Sequence, residues 1–101
     1  MSSPTVRAHH DELGSIRGAF NAQSDSLSQM NQNLKSCMET LQGGDWIGKG
    51  AQAFYREMNG DVIPSLGRLQ RAMAEAARIT QQISQAMKEA EEEASGCFHI
   101  G

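Results

Sequence analysis

Few residues in this chain have the types and spacing that chemistry needs. His9-His10-Asp11-Glu12 groups four potential metal ligands. Adjacent residues on a helix point about 100° apart, so His9 and His10 cannot readily bind one ion. A useful pair would be i and i+4, and the residue four beyond His10 is Gly14. The quartet therefore reads as a solvated first turn of helix. Lys49 stands between Gly48 and Gly50, like a fragment of a phosphate-binding loop. The full pattern, with four residues between a first Gly and Gly-Lys-Ser/Thr and a strand before it, is missing. His99 lies near the C-terminus. These few candidates support no Ser–His–acid or Cys–His arrangement. The chain reads as a non-enzyme, with no metal or cofactor site.

The two cysteines, Cys37 and Cys97, invite a disulfide. A bridge needs Cα atoms within about 7 Å. If the chain is a straight hairpin, the two lie tens of ångströms apart at about 1.5 Å per residue. An antiparallel dimer would bring Cys37 of one copy nearer to Cys97 of the other. The simpler reading is a small buried hydrophobe at 37 and an incidental thiol at 97.

Composition narrows the class. The chain has 101 residues, 39% of them apolar, with one Trp, one Tyr and three Phe, and a net charge of −3. Nothing in that balance suggests a nucleic-acid surface. Apolar runs are only a few residues long, so none spans a membrane. MSSPTVRAHH lacks the apolar core of a secretory signal.

Leu13, Phe20, Leu27, Leu34 and Leu41 recur every seven residues. Ile16, Gln23, Met30 and Cys37 form a second series offset by three, with Gln23 its single polar break. This is an a/d seam, and it predicts one helix over about 5–42. Ser3-Pro4 suits its start, and Gly43-Gly44, tolerant of the left-handed conformation, suits its end. In the second half, Phe54, Met58, Val62, Leu66, Leu69, Met73, Ala76, Thr80, Ile83, Met87, Ala90 and Ala94 follow spacings of three and four. They predict a helix over about 49–95, ended by Gly96, with a flexible tail over 96–101. Pro64 removes a backbone donor and clashes with the carbonyl of Gly60, which predicts a kink or short break near 60–64.

Between the helices lies GGDWIGKG, residues 43–50, which holds four of the ten glycines and the only Trp. The chain must reverse here, and glycine supplies the freedom. The turn proper is placed at about 43–48. Trp46 reads as a cover over the end of the bundle, and as a docking surface if part of it stays exposed.

The expected fold is thus all-α, an antiparallel two-helix hairpin in one domain over 1–101. Its apolar stripes are wider than one partner helix can cover, and few aromatics are present to offset the ordering entropy. A second hairpin packing to make a four-helix bundle solves this. The expected core of hairpin and dimer is Leu13, Ile16, Phe20, Leu27, Met30, Leu34, Leu41, Phe54, Met58, Leu66, Leu69, Met73 and Ile83. Whether the second copy is the same chain or a paralogous hairpin cannot be read from one sequence.

With Trp46-Ile47-Gly48 at the turn of a hairpin of about a hundred residues, the chain resembles the WXG family of small helical-hairpin proteins. These are the early-secreted-antigen type exported by bacterial type VII secretion. GKGAQAF after the motif, with Phe54 and Tyr55, is also similar to the family. The resemblance covers essentially the whole chain. It implies antiparallel homodimers or heterodimers that leave the cell folded, without a cleaved signal peptide, through a membrane ATPase of the DNA-translocase type. It also implies an export signal of hydrophobic, acidic and hydrophobic residues, matched by Met87, Glu91, Ala94 and Phe98. The family's other version, Tyr with an acid four residues later, is absent, since Asn59 follows Tyr55 at that spacing. In an antiparallel dimer, Trp46 and Gly48 of one chain would lie beside the other's C-terminal tail. Three functions follow as expectations: a secreted dimeric adaptor or effector, a cytoplasmic escort for a larger effector, or a plain helical scaffold.

Overall fold

The computed structural model describes residues 4–98. Its elements are α1 (Pro4–Gln42), α2 (Lys49–Glu57), a π-helical turn (Met58–Val62) and α3 (Ile63–Phe98). The chain is all-helical, with two long helices forming a hairpin. Ser3, expected to cap α1, and the last three residues of the expected tail lie outside the described residues.

The interruption expected near 60–64 takes the form of that π turn. The Ile63 N–H donates to the Met58 carbonyl, five residues back, and the backbone stays helical through Asn59 and Gly60. Pro64 can make no bond to Gly60, and a wider turn before it accommodates the ring without ending the helix. At the other end, α3 continues through Gly96 to Phe98. A glycine costs a helix only about 1 kcal/mol, so it weakens the last turn without forbidding it.

Contacts divide the chain into two compact units, Ala22–Met73 and the pair of segments Met1–Asn21 and Ala74–Gly101. In the first unit, α1 and α3 run antiparallel and meet along Ser24, Asn31 and Met38. The Ser24 hydroxyl donates to the Gln70 carbonyl at 3.3 Å and accepts from the Gln70 side-chain amide at 3.0 Å. Asn31 Nδ2 donates to the Ile63 carbonyl at 3.3 Å. Met38 anchors the apolar end of this seam with Ala51, Tyr55 and Ile63, and Leu34 and Met58 pack against that cluster. In the second unit Ala77 and Thr80 are buried. The Thr80 hydroxyl is satisfied within its own helix, by the Ala76 carbonyl at 2.8 Å.

This seam differs from the expected one by a single residue. The line facing α3 is Ser24, Asn31 and Met38, each one position beyond Gln23, Met30 and Cys37. Leu13, Phe20, Leu27 and Leu34 lie half-buried at its edge. The second apolar series points away: Ile16, Met30 and Cys37 are exposed. The buried small hydrophobe expected at Cys37 is therefore Met38 instead. On α3 and α2, Leu66, Met73 and Met58 are half-buried, while Leu69, Ile83 and Phe54 are exposed, as is Leu41 at the end of α1. Within one chain, then, Ile16, Met30, Leu41, Phe54, Leu69 and Ile83 are not core. A single facing helix covers only one edge of a stripe this wide.

Within the unit Ala22–Met73, the uncovered edges of the two helices open on the same side. On α1 the exposed Met30 precedes the seam residue Asn31, and the half-buried Leu34 lies three beyond it. On α3 the exposed Leu69 precedes Gln70, and the half-buried Met73 lies three beyond it. Both helices step from seam to exposed stripe in the same rotational sense about their own direction. Because they run antiparallel, that sense leads both stripes to one face.

Met38 should be the most sensitive position of the apolar cluster. Met38→Ala is expected to lower stability by about 2–4 kcal/mol, read from urea unfolding followed by circular dichroism. A change below about 0.5 kcal/mol would show that the cluster does not hold the helices together.

Candidate functional site

The turn is built by three local devices. α1 does not end in a left-handed glycine. Gly43 and Gly44 keep negative φ, and their N–H groups donate to the Glu39 and Leu41 carbonyls at 3.0 and 3.2 Å. What Gly43 supplies is closeness, since a Cβ there would meet the Glu39 carbonyl oxygen at 3.2 Å. The unusual backbone lies at Gly48, with φ 111° and ψ 179°. That region is essentially closed to residues bearing a side chain. Gly48 caps α2, and its carbonyl accepts the first helical bond from the Gln52 N–H at 2.9 Å. The glycine of Trp-x-Gly is therefore a conformational requirement.

Tyr55 is the second device. It sits one and a half turns into α2 and is only 6% exposed. Its hydroxyl proton is shared between the Leu41 carbonyl at 3.0 Å and the Trp46 carbonyl at 2.9 Å. The Leu41 carbonyl belongs to the last turn of α1, where carbonyls lack helical partners. One side chain thus ties the end of α1 to the backbone of the turn.

The third device is an aromatic cluster. Trp46 packs edge-on against Tyr55 with centroids 5.4 Å apart and tilted on Phe54 at 5.1 Å. Phe54 and Tyr55 meet edge-to-face at 6.2 Å. Trp46 still leaves 43% of its surface exposed, and Ile47 beside it leaves 79%. The indole lies over the cluster on one side and faces solvent on the other. The sequence alone pointed to Trp46 and Gly48, gave Tyr55 only as a family-like aromatic, and did not single out Ile47 as exposed. A Tyr seven residues, about two helical turns, after the glycine was the available signal for the role of Tyr55. Ile47 gave none, because any residue type satisfies the middle of Trp-x-Gly.

The four C-terminal positions lie along one helix, since α3 reaches Phe98. Their spacing of four and three puts Met87, Glu91 and Ala94 on one side of it. Met87 and Glu91 are half-buried and Ala94 is exposed. The side chains of Cys97 and Phe98 lie outside the described residues, as does His99. Glu91 does not stand in solvent: its Oε2 is 3.5 Å from His10 Nε2. His10 Nδ1 lies 3.4 Å from the Ser84 hydroxyl. His10 is therefore half-buried against α3, not part of a solvated first turn. The sequence reading took His9 and His10 together, and only the spacing of two heptads, fourteen residues, from His10 to Ser24 separates them. The contact becomes an ion pair when His10 carries a proton. Elsewhere on α3, the Arg78 guanidinium donates to Glu75, holding that carboxyl below the usual range and raising Arg78 in turn. Both groups are fully exposed, and such pairs contribute little.

Among the described residues, no group of three or more His, Cys, Asp or Glu side chains is placed to hold a metal. No helix there is long and apolar enough to cross a membrane.

A helical hairpin reversing through Trp-x-Gly, with the Trp half-exposed and the Gly in a conformation reserved for glycine, defines the class. A family model described as proteins of 100 residues with WXG matches residues 5–92, and the chain belongs to that WXG100 family. The family is one of small helical proteins related to type VII secretion. No curated protein and no solved structure matches the chain.

Two substitutions separate the devices of the turn. Gly48→Ala should lower stability by about 1–3 kcal/mol through backbone strain. Tyr55→Phe keeps the ring and removes only the hydroxyl, and should cost about 1–2 kcal/mol. Urea unfolding measures both; a Gly48→Ala variant as stable as the parent would mean that the turn relaxes to another conformation.

Proposed function

We propose that this chain is a non-enzymatic type VII secretion substrate that dimerises through its exposed apolar face and leaves the cell folded, acting as an adaptor or effector. The observation that carries the dimer is the uncovered face. The chain exposes 7370 Å², against about 5,600 Å² expected of a compact monomer of its mass. The excess, about 1,700 Å² per chain, exceeds the roughly 800 Å² that each partner gives to a standard stable interface. Ile16, Met30, Leu69 and Ile83 are among the residues that a second hairpin would cover.

Export rests on family membership. The reading assigns the exposed faces of Trp46 and Ile47, with Met87, Glu91, Ala94 and Phe98 of a partner chain, to recognition by a membrane ATPase. The chain would then be made in the cytoplasm and secreted without a cleaved signal peptide. A second reading, an escort for a larger effector, is favoured by Asn59. An acid is absent four residues after Tyr55, so a partner chain would have to supply that form of the signal.

Deleting residues 87–101 tests the division of labour. The truncated chain should stay dimeric and helical, and should no longer appear in culture medium of an expressing strain with an active secretion system. Export at the parent level would contradict the assigned signal.

A further inference from the structure

Resting on the dimer reading above, we infer that Gln23 lies on the two-fold axis of an antiparallel homodimer, hydrogen-bonds to Gln23 of the second copy, and so fixes which way round the copies pair. The occupant of the exposed face is a second copy of this chain.

The placement follows from the exposed series on α1. Ile16, Gln23, Met30 and Cys37 are seven residues apart, are all exposed, and lie on the uncovered edge of the helix. Gln23 is the one polar member. It is also the middle residue of α1, which spans Pro4–Gln42. When two hairpins meet face to face with their turns at opposite ends, the symmetry axis crosses the helices. α1 then faces α1 and α3 faces α3. An axis through the middle of α1 brings Gln23 to its own copy and Ile16 to Met30 of the second chain. At the centre of the series apolar residues then meet apolar residues and the polar break meets itself, while Cys37 falls opposite the exposed His9. Sliding one copy along the other by one heptad, which moves the axis by half a heptad, would set Gln23 against Ile16 or Met30 and leave its amide unpaired. That mismatch is costly where water is excluded.

Two further observations fit this position. Gln23 is flanked on its own face by Ala19 and Ser26, four before and three after it, both exposed. Small side chains there let two helices approach closely enough for amides to meet. The neighbouring Ser24 is already engaged with Gln70 inside the chain, so the two adjacent polar residues have separate tasks. The α3 stripe has Leu69 exposed and Met73 half-buried on either side of Gln70, so apolar surface accompanies the amide at that level. A self-pairing side-chain amide has one donor and one acceptor end, and two copies related by a two-fold axis satisfy each other reciprocally. A single buried amide in an apolar seam is a known way to select orientation and register.

Cross-linking in a Cys37→Ser, Cys97→Ser background tests this. Native mass is first measured on each variant. Gln23→Cys should oxidise to a covalent dimer in most of the chain population. Ile16→Cys and Met30→Cys should each stay uncrosslinked alone and should link to one another when mixed before refolding. A dimeric native mass with no Gln23→Cys link would overturn the placement of the axis and leave the dimer reading standing. A monomeric native mass in the background protein would overturn both. The orientation role has its own readout. With Gln23→Leu in place, the link between Ile16→Cys and Met30→Cys should weaken, because a parallel pairing sets α1 against α3 of the second copy. A pattern unchanged by Gln23→Leu would show that the amide is tolerated at the axis without specifying it.

Discussion

A helix covered by one neighbour can hide one edge of its surface, and each long helix of this chain carries apolar residues along two. The rest of the structure follows from that constraint. The hairpin closes along the edge that can hydrogen-bond as well as pack, with Ser24 on Gln70, Asn31 on Ile63 and His10 against Ser84. The edge left outside is more purely apolar. Two helices could have closed on their leucines and isoleucines and left the polar residues in water. In that arrangement the chain would have little surface left for a partner. The partly polar seam instead holds the helices in register with modest energy, and the larger apolar surface stays available.

The turn completes the same scheme. Reversal of the chain ends the helical bonding of α1, and Tyr55 adds a second donor to the Leu41 carbonyl, beside the Gly44 N–H, while gripping the backbone at Trp46. Gly48 then admits a conformation that starts α2 in the right direction. These two residues position the indole so that one face packs and the other is presented. The exposed part of Trp46 is thus a consequence of how the turn is built, and the same geometry serves a structural cover and a recognition surface.

Much of this was legible in the sequence. Seven-residue periodicity revealed α1, and the glycines around Trp46 revealed the reversal. Spacings of three and four revealed the second helical stretch. What the pattern could not decide was which edge of the stripe faces the other helix. The a/d series is equally suited to the hairpin seam and to a contact with a second copy, and only the hydrogen-bonding residues one position along break the tie. Tyr55 was legible as a family-like aromatic but not as the residue that binds two carbonyls, because backbone acceptors leave no trace in sequence. Pro64 suggested an interruption, and the π turn that absorbs it depends on a backbone widening that no residue type announces. Gly43 and Gly44 looked like a left-handed helix end, whereas the requirement lies at Gly48, inside the motif.

The central claim is that the exposed face is completed by a second hairpin. Native mass of the purified chain, with far-UV circular dichroism on the same sample, tests it most directly. The account predicts a strongly helical species of about twice the 11.0 kDa chain mass. A strongly helical monomer that stays monomeric as concentration rises would contradict it, since the two apolar edges would then be stable in water without a partner.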